Sequence, residues 1–426
     1  MRDSTGEIPI NLKWWQLMDR KPTILPTLPP EIWLRILEAA THVPGLLDVD
    51  VEDPFDSPHP SGGTLLDTRD EMKALRASLV TKRHVVRVCK QWNTLATPLL
   101  YESIFVGRNS PNVLPGTLCS PREGVAHSPG WYTRRLDLSG HASASTLALL
   151  PEIIAHLPQL RIFRVLPSRA FHADYRPVLP DPVVRALAGT PSLQMLKWDK
   201  SDHLMLWPSL LETLLEACPA LRALVGVNAL GADCTSPACD SLAYAHLRVE
   251  RWAESDLQTT PFRNLRQARL AYSIASRRDF RIREVLGASL ASLRTLYADV
   301  HDIGLVQPFL DSLHVCTNLR HVIITNCFRW VSQAEFGTLP PYVTHLGLHF
   351  HRSQGTDAFY RSVFAFIGQL SGQSLTVVRL LNRRGLEDLR LRHTAEFRKG
   401  LESLRLKGFR LEDYQGVALL PKALDG

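Results

Sequence analysis

Residues 319–327 read Leu-Arg-His-Val-Ile-Ile-Thr-Asn-Cys, and the fold expected for the chain follows from this stretch. Its apolar residues have the spacing L-x-x-L-x-L. This spacing places Val322 and Ile324 on the same face of a β-strand, because strand side chains alternate between two faces. The preceding residues 309–316 have apolar positions at helical spacing and end in a polar turn. Together the two stretches predict one helix–turn–strand unit.

The string L-x-x-L-x-L recurs through the C-terminal three quarters of the chain when other apolar residues are allowed at the leucine positions. Apart from a gap between Leu221 and Leu265, successive strings begin 24 to 33 residues apart. A single string is common by chance in leucine-rich sequence, so the regular interval carries the argument. Helical stretches at residues 150–158 and 211–219 precede two of the strings. The strings are Leu160-Phe163-Val165, Leu193-Leu196-Trp198, Leu265-Ala268-Leu270, Leu293-Leu296-Ala298, Leu319-Val322-Ile324, Val343-Leu346-Leu348, Leu375-Val378-Leu380 and Leu401-Leu404-Leu406, with shorter forms at 136–138 and 221–224.

A unit of this length cannot bury its own apolar face, so neighbouring units must cover one another. The pattern is that of leucine-rich repeats. It predicts an α/β fold for residues 131–412, an irregular leucine-rich-repeat-like solenoid with parallel strands on the concave side and helices outside. Only residues 319–327 have the full form ending in Asn-Cys, which is why we expect the solenoid to be irregular. Residues 226–264 break the rhythm and predict a loop-bearing or degenerate repeat.

Near the N-terminus, residues 28–40 predict a helix with more apolar surface than one side can bury. Pro29 and Pro30 followed by Glu31 favour a helix start, because proline is tolerated in the first turn and a carboxylate suits the positive end of the helix dipole. A short surface helix normally has one apolar face, so this one must be covered on more than one side. Its apolar side chains form two stripes, one of Leu28, Ile32, Ile36 and Ala40 and the other of Trp33 and Leu37.

Two further helices are predicted before residue 100. Thr68 and Glu71 fit a capping box that opens the first of them. Residues 85–96 predict the second, which Pro98 should end, with an extended segment over residues 99–104. Three short helices make a poor core by themselves. The residues alone therefore leave two alternatives open: the helices dock on the rest of the chain, or they expose an apolar face to another protein.

Two separated stretches of this region, residues 28–36 (LPPEIWLRI) and 88–102 (VCKQWNTLATPLLYE), resemble the F-box motif. The resemblance is closest to the large fungal-type family whose motif ends in Pro-Leu-Leu-Tyr-Glu. F-box proteins bind the Skp adaptor of SCF cullin–RING ubiquitin ligases, and a following domain selects the substrate. The three helices would then form an F-box module. The resemblance implies adaptor contacts or shared burial at Leu28, Pro29, Ile32, Ile36, Val88, Cys89 and Trp92.

The chain departs from the F-box pattern by an insertion at residues 41–68. The insertion is acidic and rich in proline and glycine, which predicts a solvated loop. Residues 1–80 contain 8 Lys/Arg against 13 Asp/Glu, so the insertion belongs to an acidic N-terminal part. Lengthening a loop changes the free energy of closing it only slowly, so the insertion is compatible with adaptor binding.

These patterns predict a non-catalytic substrate-recognition subunit that binds the Skp adaptor, through it a cullin–RING ligase, and a protein substrate on the repeats. The alternative is a scaffold without a ligase, in which the helical module caps the repeat array. The cap alternative requires the Ile32 and Ile36 stripe to be packed beneath residues 106 onward. The predicted organisation is a flexible arm at 1–25, the F-box module at 26–105, a linker at 106–130, the repeats at 131–412 and a tail at 413–426.

A basic stretch is the one candidate for substrate binding in the repeats. Residues 261–294 contain eight arginines and two acids. We expect Arg263, Arg266 and Arg269 to lie on or beside one strand, with Arg269 facing away from Leu270, and to attract an acidic or phosphorylated segment. The alternative is an ordinary solvated surface. No nucleic-acid-binding signature accompanies these arginines, so nucleic acid is not a predicted partner.

The sequence predicts no catalytic residue, no cofactor and no metal site. Cys234 and Cys239, with His246 nearby, have a gap at the edge of zinc-ligand spacing, and no second pair follows them. Seven irregularly spaced cysteines favour a reducing compartment. The sequence has no run apolar enough for a membrane span, and its first residues lack the apolar core of a secretory signal. We therefore expect an intracellular protein of the cytoplasm or nucleus.

Overall fold

The computed structural model of the chain describes most of its residues. The predicted arm at residues 1–25, Cys234 and the Asn326-Cys327 end of the full-form repeat lie outside the described residues. The described ranges are 28–56, 68–107, 114–120, 127–140, 142–166, 179–198, 208–228, 238–249, 262–272, 282–300, 306–325, 338–349 and 355–419.

Twelve strands in the described residues form a single sheet, and every strand pairs in parallel with the next strand along the chain. The predicted α/β class and parallel strands are thus confirmed. The chain-order arrangement is compatible with a solenoid. The strands are β1 Ser103–Val106, β2 Arg135–Leu138, β3 Ile162–Val165, β4 Met195–Trp198, β5 Ala223–Asn228, β6 Tyr244–Val249, β7 Gln267–Tyr272, β8 Thr295–Asp299, β9 His321–Thr325, β10 His345–His349, β11 Val377–Leu380 and β12 Arg410–Glu412.

Helices precede the first strand and lie between most later ones. Parallel neighbours require such crossover connections, because a tight hairpin can join only antiparallel strands. The helices are α1 Pro30–Thr41, α2 Thr68–Val85, α3 Lys90–Tyr101, α4 Leu114–Cys119, α5 Ala144–Ala155, α6 Asp181–Ala188, α7 Pro208–Ala217, α8 Ala238–Ser241, α9 Ile282–Leu286, α10 Val306–Ser312, α11 Asp357–Gln369, α12 Arg383–Arg392 and α13 Thr394–Leu404.

One face of the sheet packs against the helices, and we call it the core face. Leu136 and Leu138 of β2 and Phe163 and Val165 of β3 are fully buried there, in one cluster with side chains of α5 to α7. In the strings that form strands, the opening apolar residue lies in the turn before the strand. These opening leucines, Leu160, Leu193, Leu221, Leu265, Leu293 and Leu319, are also fully buried.

The repeat positions differ from the sequence prediction in two places. The predicted string at 401–406 is wrong, because Leu401 and Leu404 belong to α13 and Leu406 is 96% exposed. The last strand, β12, lies a few residues later. Within the irregular stretch 226–264 the chain forms β6. Its core positions Leu242, Ala245 and Leu247 follow the string spacing, with alanine at the same place as in the string Leu265-Ala268-Leu270.

The N-terminal helices begin and end differently from the prediction. The expected continuous helix over 85–96 is wrong, because α2 ends at Val85 and a turn separates it from α3. Asn93 Nδ2 donates to the Val86 carbonyl at 2.8 Å, and the Cys89 Sγ accepts from the Trp92 N–H at the start of α3. Pro98 does not end α3, since its fixed φ is helical and only one intrahelical hydrogen bond is lost.

One predicted domain limit falls inside a strand, and the predicted linker contains a helix. The predicted extended segment at 99–104 is wrong for residues 99–101, which complete α3. Strand β1 spans the predicted limit at residue 105, and α4 lies in the predicted linker. The predicted tail returns to the sheet, because Leu419 is buried and its N–H donates to the Leu411 carbonyl of β12.

Candidate docking surfaces

Helix α1 has one apolar stripe covered and the other open. Leu37 and Thr41 are buried, and the Trp33 ring packs on Trp92 of α3 with a centroid separation of 5.0 Å. Ile32 and Ile36, by contrast, are 42% and 43% exposed. Since α1 is only 12 residues long, this open pair is a large share of its apolar surface.

The other residues predicted to contact an adaptor are distributed between surface and interior. Pro29, Val88 and Cys89 are exposed, whereas Leu28 and Trp92 are partly buried. Val88 is 61% exposed in the turn that joins α2 to α3. Helix α1 contacts both α2 and α3, so the two halves of the sequence motif come together in space.

A second surface is formed by the face of the sheet opposite the core face, and we call it the open face. Residues 46–56 of the insertion, here called the acidic segment, lie against it. The prediction of a solvated loop is therefore wrong for these residues. Val49 is buried, and Val51 and Phe55 are partly buried, so apolar side chains alternate with some of the carboxylates. Their neighbours on the sheet are Ile162, Met195, Ala223, Val225, Tyr244, Tyr297 and Ile323.

Backbone carbonyls of the acidic segment accept hydrogen bonds from strands across the sheet. Arg135 of β2 donates to the Leu46 carbonyl at 2.8 Å, and Gln267 of β7 donates to the Val51 carbonyl at 2.8 Å. Arg379 of β11 donates to the Pro54 carbonyl. The segment thus crosses the strands in their chain order. Two exposed ion pairs accompany it, Asp50 with Arg222 at 3.4 Å and Asp56 with Arg294 at 2.7 Å.

Asp53 is the buried anchor of the acidic segment. Its Oδ2 accepts hydrogen bonds from Thr295 Oγ1 and His321 Nδ1, the latter at 2.7 Å. Burial opposes ionisation of the Asp53 carboxyl, but these contacts outweigh it and lower its pKa. The neighbouring Phe55 ring packs 4.9 Å from His321, and the Arg379 guanidinium lies 5.0 Å from its centroid.

Glu71 in the first turn of α2 fastens that helix to the same face. Its carboxylate contacts Arg135 at 2.7 Å, Arg164 at 2.9 Å and Lys197 at 3.3 Å. These cations come from β2, β3 and β4, and their side chains are at most 10% exposed. Burial opposes ionisation of Glu71, but Lys197, Arg135 and Arg164 lower its pKa to about 2.

The three arginines predicted to bind substrate do not form one exposed set. Arg263 and Arg266 are exposed before β7, whereas Arg269 is only 8% exposed. Arg269 faces away from Leu270, as predicted, but its Nη2 lies 2.9 Å from both carboxylate oxygens of Asp299. Its charge therefore neutralises an internal carboxylate on β8.

Sequence reasoning missed the charged residues of the open face. A usable signal was present, because several strands carry a charged residue between two core positions. Such a residue must point away from the core face. These residues are Asp137, Arg164, Lys197, Arg269 and Arg379.

The described residues offer no group of three or more side chains that could hold a metal ion. His246 lies buried in β6. No helix in the described part of the chain is long and apolar enough to cross a membrane.

No protein-family model matches the chain, and no curated protein is significantly similar to it.

The two buried carboxylates make stability depend on pH. Because folding lowers the pKa of Asp53 and Glu71, the unfolded chain binds protons more readily between the folded and unfolded pKa values. The stabilisation is therefore complete above the unfolded values and is lost as pH falls from about 5 towards 2. We expect the free energy of unfolding, measured by urea titration, to fall by about 3 kcal/mol over this range from Glu71 alone.

The variant Glu71→Gln is the control for this pH dependence. It removes the titrating group, so its free energy of unfolding should vary less between pH 5 and pH 3 than that of the wild type. Equal slopes in the two proteins would contradict the assignment to Glu71.

Proposed function

We propose that the chain is the substrate-recognition subunit of an SCF-type cullin–RING E3 ubiquitin ligase. In this proposal α1 to α3 are an F-box module that binds the Skp adaptor, and the parallel-stranded units are leucine-rich repeats that hold a protein substrate. The observation that carries the proposal is the open stripe of Ile32 and Ile36, which lies inside the two-part motif that resembles the F-box. The cap alternative requires that stripe to be covered.

The proposed chemistry assigns no catalytic step to this chain. Catalysis comes from the recruited ligase, and the chain contributes by holding the substrate close to the activated ubiquitin. The Glu71 contacts support such a role, because they fix α2 to three strands of the sheet. A fixed helix would set the orientation of a substrate relative to the adaptor. The proposal places the chain in the cytoplasm or nucleus.

Charge substitution in the open stripe tests the proposal. We expect the double variant Ile32→Asp, Ile36→Asp to bind purified Skp adaptor about 100-fold more weakly than the wild type in calorimetric titration. Truncating a central interface residue typically weakens binding by about 2 kcal/mol, and a buried unpaired carboxylate adds to that loss. Glu38→Ala on the same helix is the matched control, because Glu38 is exposed and lies on another side of α1.

The fold of each variant is checked by circular dichroism before titration. Undiminished adaptor binding by a folded double variant would contradict the interface. Absence of adaptor binding by the wild type would contradict the function itself.

The Glu71 contacts are equally compatible with a second candidate function, although the open stripe of Ile32 and Ile36 counts against it. The Glu71 contacts dock α2 on the sheet, as expected for a helical module that caps a repeat scaffold. A scaffold of this kind would be folded and would bind no adaptor, so the same titration separates the two candidates.

A further inference from the structure

The open face of the sheet has the features of a peptide-binding groove. A glycine, Gly347, stands in β10 beneath the Phe55 ring. A Cβ at this position would lie 3.3 Å from Phe55 Cζ, and within 2.8 Å of atoms of Ile323 and Leu381. The absence of a side chain therefore makes room for an aromatic ring at this point of the face.

The charges of the face complement an acidic peptide. Residues 46–56 contain five carboxylates and no Lys or Arg. Opposite them Arg222 pairs with Asp50 and Arg294 with Asp56. The charge of Arg379 is paired with Glu412 at 2.7 Å, and its guanidinium donates to the Pro54 carbonyl of the segment. The contacts reach the peptide backbone as well as the side chains, so the face can hold an extended chain and distinguish acidic sequences.

The acidic segment does not satisfy every polar group of the face. The Tyr244 hydroxyl is buried beside the segment and has no hydrogen-bond partner among the described residues. The ion pairs of Asp50 and Asp56 are exposed to solvent and contribute little. Attachment to α1 and α2 raises the local concentration of the segment, so it can occupy the face without being the tightest ligand.

We propose that the open face binds an extended acidic peptide of the substrate and that the acidic segment occupies this site until the substrate displaces it. The recognised peptide carries a carboxylate two residues before an aromatic ring, as Asp53 and Phe55 do. This inference rests on the proposed function, because it names the substrate class of the proposed receptor. Release of the segment need not move α2, which Glu71 holds separately.

A fluorescent peptide of the sequence of residues 46–56 tests the proposal in the full-length chain. The release variant Asp53→Ala, Phe55→Ala should bind the peptide at least about tenfold more tightly than the wild type, whose own segment competes at high effective concentration. A peptide with the same two substitutions should bind at least about tenfold more weakly. Adding His321→Ala to the release variant should abolish binding, and Glu387→Ala, at an exposed position of α12, should match the wild type.

Binding is measured by the fluorescence anisotropy of the peptide as each variant is added. Each outcome of this titration is decisive. A folded release variant that does not bind the peptide overturns the proposal, and so does equal binding by wild type and release variant. A release variant that unfolds also overturns it, because the segment would then be part of the core. Adaptor binding is measured on the same samples. Peptide binding without adaptor binding would refute the ligase function and leave the groove in place.

Discussion

Replacement of Glu71 by alanine is expected to lower the free energy of unfolding by about 3–5 kcal/mol. The carboxylate lies within 3.3 Å of Arg135, Arg164 and Lys197, all of which are buried. Without it these cations keep only part of their compensation, because Asp137, which pairs with Arg135 at 3.0 Å and also interacts electrostatically with Arg164, carries a single charge. Breaking a buried ionic cluster by removing one sign of charge is costly, because the remaining charges stay out of water.

Urea unfolding at pH 7 measures this effect. The control is Glu387→Ala, which removes an ion pair of Glu387 and Arg383 with a separation of 2.8 Å on the exposed surface of α12. We expect that control to change the free energy of unfolding by less than about 0.5 kcal/mol. A change of less than about 1 kcal/mol for Glu71→Ala would show that the cluster does not stabilise the fold.

Replacement of Gly226 by alanine has the second large expected effect. Gly226 lies in β5 at a bulge, where the register with β6 shifts between Val225 and Val227. Its φ is +74°, in the left-handed region that residues with a Cβ disfavour by about 1–2 kcal/mol. A Cβ would also lie 1.8 Å from the Trp198 carbonyl oxygen of β4, so that strand must shift. We expect a total loss of about 2–4 kcal/mol.

Thermal and urea unfolding measure the loss, with Gly408→Ala as control. A Cβ at Gly408 meets nothing within 4 Å, so this variant should stay within about 0.5 kcal/mol of the wild type. Similar stability of the two variants would mean that the bulge adapts to a side chain.

The strands were predictable where the core positions are large and aliphatic. Leu319, Val322 and Ile324 indicated a strand together with the helical stretch before them, and the interval between strings supplied the architecture. Strand β6 was overlooked, although Leu242, Ala245 and Leu247 repeat the pattern of the recognised string Leu265-Ala268-Leu270, so the signal was present in the sequence. The string at 401–406 has apolar residues at the expected spacing but lies largely in α13. Spacing alone cannot separate a strand from a helix over so few residues.

Part of the candidate site was also predictable. The two apolar stripes of α1 indicated that the helix needs a cover on more than one side, and the stripe of Ile32 and Ile36 is the one that stays open. The groove was not predictable, because its partners are far apart in sequence. Asp53 and His321, for example, are separated by 268 positions. The carboxylates of the insertion suggested a solvated loop, so its apolar residues were not recognised as sheet contacts.

The chain-order pairing of the sheet has a consequence for how the molecule comes apart. Where every unit touches only its neighbours, the array can fray from either end, one unit after another. The acidic segment joins β2, β7 and β11 by a single stretch of backbone. The segment therefore links distant units of the array. Unfolding that begins at β12 must break the contacts of the acidic segment, which belongs to the N-terminal part of the chain, before it can pass the middle units. A peptide that displaces the segment would link these strands only while it stays bound.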